Sequence, residues 1–184
     1  LTILALFLSI IGCTSKSTSE TTDDTDSVSL TIVEPTDSVD YLQIGFDLMR
    51  DESFGGIKTG LSTDEVVKLL GEAEKKSEIT ASEADGMNWQ TWFYPNKGCE
   101  VSFYQNEDQS WSSASYILKE TSTFKSTHSI GIGSTAEEVK TAYQKEIGTD
   151  EGTEQIIAGT VYGGIVFWMT NGKVRNIFVG ASAE

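Results

Sequence analysis

Two cysteines, two prolines and a single histidine stand among 184 residues, and 13 Lys and Arg face 28 Asp and Glu, a formal charge of −15. The shortage of base excludes nucleic acid as a partner, because phosphate binding needs a basic face. A lone histidine, His128, excludes a His-rich zinc site and gives a Ser-His-Asp triad no sequence context. Cysteines at 13 and 99 make no disulfide framework. No apolar run reaches the roughly 20 residues that a membrane-spanning helix requires.

What is present suffices for a core: 38% of residues are hydrophobic and 10% aromatic, so the chain is not disordered throughout. Its length allows one folded domain with attachments. Leu1 to Ile11 is apolar and uncharged and ends at Gly12-Cys13, the length of a signal-peptide core whose basic segment would lie upstream. Residues 1–12 therefore read as a signal peptide truncated at its N-terminus. Ile10-Ile11-Gly12-Cys13 resembles the bacterial lipobox, which is cut before its cysteine. The resemblance implies that Cys13 becomes the lipidated first residue and anchors the chain to a membrane. A buried helix or an ordinary secretory signal is the alternative. Ser15 is not the Asp that resembles an inner-membrane retention signal, which leaves an outer-membrane address open in a host with two membranes.

Thr14 to Asp40 is rich in Ser and Thr and carries seven acids against Lys16. Such a segment buries too little to fold and reads, over 13–40, as a solvated tether extended by its own charge. Asp23, Asp24 and Asp26 lack the Gly turn and the closing Glu of a calcium loop. Val28, Leu30 and Ile32 alternate as a short strand would.

From Tyr41 the alternation of Leu42, Ile44, Phe46 and Leu48 predicts a first strand. A repeat follows: IKTGLSTDEV at 57–66 recurs without a gap as IGIGSTAEEV at 130–139. In both copies a hydroxyl residue (Ser62, Thr135) stands three positions before a glutamate (Glu65, Glu138), the capping box that opens a helix. Asp64 and Glu137 place negative charge in the first turn. Val66, Leu69 and Leu70, and then Val139, Ala142 and Tyr143, form the stripe to be buried. Gly60 and Gly133 permit a backbone turn two residues before each cap. Strands are expected at 89–94, 99–105 and 113–119 after the first helix and at 156–162, 164–170 and 173–179 after the second. Turns fall at Pro95–Gly98, at Asn106–Asp108, and at the hairpin signals Gly163-Gly164 and Asn171-Gly172. The fold class that follows is α+β over 41–184: two tandem repeats, about 55–120 and 128–180, each a helix plus an antiparallel three-strand meander, sharing one sheet with the helices on one face.

The pattern Ile-x-x-Gly-x-Ser/Thr-x-Asp/Glu-Glu-Val, followed by an aromatic strand and a hairpin, resembles the β-lactamase-inhibitor-protein-like fold and the small outer-membrane assembly lipoproteins of the SmpA/OmlA type, over about Gly55 to Val179. The resemblance implies a non-catalytic binding module that grips a protein partner on a concave sheet. The chain departs from the inhibitor in lacking its two disulfides.

Catalytic motifs are fragmentary. Ser122-Thr-Phe-Lys125 and Lys58-Thr-Gly60 match two parts of a serine β-lactamase signature in reversed order, without the Ser-Asp-Asn element. Gly131-Ile-Gly133 lacks the rest of a dinucleotide fingerprint, and no two carboxylates stand out as a glycosidase pair. Cys99, Val101 and Phe103 alternate with Glu100, Ser102 and Tyr104, so Cys99 reads as a buried strand residue rather than a nucleophile. No metal and no cofactor is called for. The aromatics carry the functional expectation. If Cys99, Val101 and Phe103 face the helices, Tyr104 faces away, and by the same alternation so does Trp168. Trp92 and Trp111, the latter in a turn, join them as candidate partner-binding residues. The expected function is that of a lipid-anchored envelope protein that binds a protein partner through its sheet face, with a small ligand or carbohydrate held by exposed aromatics as the alternative.

Overall fold

The computed structural model describes residues 39–83, 86–148, 152 and 154–181. They lie in one compact unit, Ser38–Glu184; Cys13, the tether and the Val28–Ile32 alternation fall outside the described residues. The architecture is α+β: three helices and one antiparallel eight-stranded sheet.

The chain enters through α1, Tyr41–Asp51, where the alternation had predicted a strand. The Asp40 side chain accepts from the backbone N–H of Leu42 and Gln43 at 3.1 and 3.0 Å, a helix cap. A strand would have put Leu42, Ile44, Phe46 and Leu48 on one face. In the helix they separate: Leu48 packs against the core, while Leu42 and Phe46 stay 42% and 45% exposed. Gly45 is the residue α1 buries. A Cβ built on it would lie 1.7 Å from the Gly163 carbonyl oxygen, so helix and sheet backbones touch there and only glycine fits.

Both capping boxes form. In α2, Thr63–Leu70, the Ser62 hydroxyl accepts from Glu65 N–H while the Glu65 carboxylate accepts from Ser62 N–H at 2.9 Å. In α3, Ala136–Ala142, Thr135 and Glu138 do the same, with 2.7 Å for the return bond. Val66, Leu70, Val139 and Tyr143 are buried as their spacing requires, whereas Leu69 is 45% exposed. Gly60 and Gly133 adopt φ of +82° and +85°, a region that a side chain disfavours.

The strands are β1 (Lys75–Lys76), β2 (Thr80–Ala81), β3 (Asn88–Tyr94), β4 (Cys99–Gln105), β5 (Trp111–Leu118), β6 (Gln155–Thr160), β7 (Gly163–Thr170) and β8 (Lys173–Gly180). Their order across the sheet is β1-β3-β4-β5-β8-β7-β6, with β2 also on β3. β5 and β8 join the two meanders over a short register, Tyr116 with Val179, Ile117 with Phe178 and Leu118 with Ile177. The Asn171-Gly172 hairpin forms with both residues at positive φ. Gly163-Gly164 does not form the turn expected of it. The β6–β7 loop is Val161-Tyr162, and the two glycines open β7 opposite Thr160 and Gly159. Their small size serves the contact with α1: a Cβ on Gly163 would come within 2.9 Å of the Phe46 ring.

The core lies on the face of Trp92, Tyr94, Cys99, Val101, Phe103, Tyr116, Leu118, Ile165, Phe167, Ile177 and Val179, covered by Phe54, Ile57, Val66, Leu70, Ile130, Val139 and Tyr143. Burying such side chains contributes about 1.5–3 kcal/mol each. No helix among the described residues is long and apolar enough to cross a membrane.

Candidate binding face

Strand alternation decides what the other face of the sheet carries. Residues between the buried ones on each strand pair across it in register: Ile157 with Val166, Val166 with Phe178, Phe178 with Ile117, Ile117 with Glu100, and Glu100 with Phe93. One apolar row therefore crosses from β6 to β3, interrupted only by Glu100, which pairs with Lys119. Its members are half-buried except Val166, which is 3% exposed. Trp168 adjoins the row, its ring 6.3 Å from that of Phe178.

A second row runs beside it. Trp89 pairs with Tyr104, the rings 6.1 Å apart and tilted by 52°, and Tyr104 pairs with Ser112. Between the rows lie hydroxyl residues: Thr91 and Ser102 share a 3.1 Å hydrogen bond, and Ser115 pairs with Ser102.

The structure sorts the four candidate residues. Tyr104 and Trp168 lie on this outer face, both half-buried. Trp92 does not: it is 5% exposed on the core side, 4.7 Å from the Phe103 ring, with its indole N–H on Gln90 and the Lys76 ammonium 3.6 Å from its ring centroid. Trp111 opens β5 rather than lying in a turn, and its side chain packs against the core. The residues that alternation could have supplied instead are Trp89 and Phe178. Trp89 and Trp92 are three positions apart on one strand, and an odd spacing places them on opposite faces.

The motifs with catalytic overtones are occupied otherwise. Cys99 is 1% exposed, and burial, with Glu100 adding, pushes its thiol up to about 12, which leaves no thiolate near neutral pH. Lys58-Thr-Gly60 serves the turn before α2, where the Thr59 hydroxyl donates to the Met49 carbonyl at 2.8 Å. Ser122 is buried and accepts from Phe124 N–H. Among the described residues no His, Cys, Asp and Glu group of three or more could hold a metal ion.

The most chemically loaded spot away from the face is Glu52, the one buried carboxylate among the described residues, 4% exposed. Its Oε1 accepts from Ser53 N–H, Thr127 N–H and the Thr127 hydroxyl at 2.9, 3.0 and 2.7 Å. Its Oε2 meets His128 Nδ1 at 2.8 Å and the Tyr143 hydroxyl at 3.2 Å. Burial alone would raise its pKa, yet the bonds from Thr127, His128 and Ser53 outweigh that and hold it below the ordinary value. The bonds from Thr127 and His128 fix the end of α1 to the 127–128 segment, and the bond from Tyr143 fixes it to the end of α3. Sequence reasoning used His128 only against a zinc site and a triad and gave no sign of its partner.

No family model, curated protein or solved structure matches the chain.

Proposed function

We propose that the chain is a lipid-anchored, non-catalytic protein of the bacterial envelope, at the outer membrane where the host has two, whose domain binds a protein partner through the sheet face away from the helices. The observation that carries this reading is the apolar row Ile157–Val166–Phe178–Ile117, extended by Trp168 and Phe93. A half-buried row of this kind, with aromatics and one compensated charge, has the composition of an interface centre.

The finer architecture, two tandem repeats sharing the sheet, belongs to the same proposal. Its support is the recurrence of contacts that the sequence repeat does not itself contain. Gly60 N–H donates to the Ser113 carbonyl and Gly133 N–H to that of Val174; Ser113 N–H returns to Leu61 and Val174 N–H to Ser134, at 2.7 to 2.8 Å throughout. Bridges follow at Ser62–Ser112 and Thr135–Lys173. Each meander has a bulge at the matching place, after Ser102 and after Trp168. Under this reading Ile117 opposite Phe178 marks a local two-fold axis, since the flanking pairs Tyr116–Val179 and Leu118–Ile177 interchange about it. A concave sheet built from two such units is what the resemblance to the inhibitor-like fold implies.

The test is mild crosslinking of the lipoprotein in its own cells, followed by purification and mass spectrometry. A stoichiometric envelope partner is expected, lost in Cys13→Ala and in Trp168→Ala while the latter retains its unfolding temperature. A partner captured equally by Trp168→Ala and by Ile117→Ser would overturn the face assignment.

A further inference from the structure

The outer face is not flat where β5 changes neighbours. Tyr116 to Leu118 pair with β8, but Ser113 pairs with Gly60 and Leu61 instead. At this parting a cleft of about 470 Å³ opens, lined by Met49, Met87, Trp89, Tyr104, Ser115 and Ala181 among others. Its size is that of a small-ligand site.

Its chemistry is unlike the rest of the molecule. The chain carries a charge of −15, yet among the described residues no Asp, Glu, Lys, Arg or His lines this cleft. A charged ligand would find no counter-ion there and would lose its hydration without return. The walls offer a Trp and a Tyr ring and two methionines, soft surface suited to the apolar face of a ring. The hydroxyls of Thr59 and Ser113 are spent on the carbonyls of Met49 and Lys58. Polar recognition therefore falls to the Trp89 indole N–H, the Tyr104 hydroxyl and Ser115. Ser115 also leads out of the cleft onto the neutral hydroxyl row of Ser102 and Thr91.

We infer that this cleft is a binding site for a neutral oligosaccharide, one sugar ring lying against Trp89 and Tyr104 and the next over the Ser115–Ser102–Thr91 row. A sugar ring presents an apolar C–H face for the aromatics and hydroxyls for the serines, and its neutrality suits a site whose described lining carries no charge in an acidic protein. This goes beyond the protein-binding reading and uses the opposite end of the face from Trp168, so the two stand or fall separately.

The experiment is titration of the full chain with cellohexaose, chitohexaose and maltohexaose, and with a hyaluronan hexasaccharide as the anionic comparator, followed by tryptophan fluorescence and calorimetry. At least one neutral hexasaccharide is expected to bind below about 1 mM, with the anionic one at least roughly tenfold weaker. Trp89→Ala and Tyr104→Ala each weaken binding by roughly tenfold or more, a loss of about 1.4 kcal/mol. Trp168→Ala leaves it unchanged. Because either aromatic variant could disturb the sheet, Ala181→Trp, at an exposed position beyond β8, supplies a plug that leaves both rings in place and abolishes binding. Absence of binding by all three neutral sugars, equal binding of the anionic one, or binding that survives Ala181→Trp would overturn the assignment, whatever protein partner is captured at Trp168.

Discussion

Glu52, which closes α1, and His128 are joined across 76 positions of the chain by a 2.8 Å hydrogen bond between Oε2 and Nδ1. An ionised carboxylate can only accept, so the imidazole carries its proton on Nδ1. The His128 ring also lies 5.1 Å from that of Tyr143, which donates to the same oxygen. One buried charge thus holds three segments that are distant in sequence.

Glu52→Gln keeps the shape but turns an amide N–H₂ toward groups that are themselves donors. The expected loss is about 3 kcal/mol of unfolding free energy. The pH dependence carries a sign. The folded pKa of Glu52 lies below its unfolded value, so its contribution is fully present above the unfolded value and is lost as pH falls through the folded one. Denaturant titrations from pH 7 downward should therefore show the gap between wild type and Glu52→Gln closing on acidification. A gap that stays constant would deny the carboxylate this role.

The two helix starts are predicted to be worth similar amounts. Ser62→Ala and Thr135→Ala each remove one half of a reciprocal box, at a cost of about 1 kcal/mol, which lowers the melting temperature by about 3 °C in a domain of this size. Glu65 and Glu138 report on the same geometry, since each is held below its ordinary pKa first by the backbone N–H and then by the hydroxyl of its cap residue. In each alanine variant the glutamate pKa, followed by NMR, should rise toward its ordinary value. An unmoved pKa would mean that the box does not form in solution.

What could be read from the sequence was what depends on neighbours a few positions apart. The capping boxes, the alternation in Cys99–Gln105 and the Asn171-Gly172 turn are all of that kind, and all three are found. Leu42 to Leu48 misled because an alternating run also contains pairs four apart, such as Ile44 and Leu48, which a helix uses as readily. The cap at Asp40 decided the matter. β1 and β2, with two residues each, are too short to carry any period. The Gly163-Gly164 signal was real but its cause lay elsewhere, in the approach of Gly45 from α1. On the outer face, alternation placed Tyr104 and Trp168 correctly; Trp92 was misplaced because its side was not carried over from its distance to Trp89.

Tyrosine hydroxyls make a sharper contrast. Those of Tyr94 and Tyr116 are buried without a hydrogen-bond partner among the described residues, and burial raises the pKa of both, to about 12 for Tyr94. Tyr143 is equally enclosed but bonds Glu52. Removing an unpaired buried hydroxyl returns its desolvation cost, whereas removing a paired one leaves an acceptor short. Tyr116→Phe and Tyr94→Phe are expected to be neutral or to stabilise by up to about 1 kcal/mol, and Tyr143→Phe to destabilise by about 1–2 kcal/mol. Urea unfolding of the three variants checks the order, and a loss in Tyr116→Phe equal to that in Tyr143→Phe would contradict it.

Cys99 gives a way to see the central sheet open. It sits on β4 between Tyr94 of β3 and Leu118 of β5, beneath a core that leaves it 1% exposed. Alkylation needs both access and a thiolate, and the folded protein denies both, because burial holds the thiol up to about 12. A maleimide should therefore leave Cys99 unmodified in the folded domain and label it stoichiometrically in denaturant. Under native conditions the labelling rate reports opening of the β3–β4–β5 meander. Weakening the first helix cap, through Ser62→Ala, should raise that rate by a factor of about five, the factor that 1 kcal/mol represents, if α2 and the meander open together. A rate raised by Ser62→Ala but untouched by Thr135→Ala would show that the two meanders open separately; equal effects would show a single cooperative sheet joined through Ile117 and Phe178.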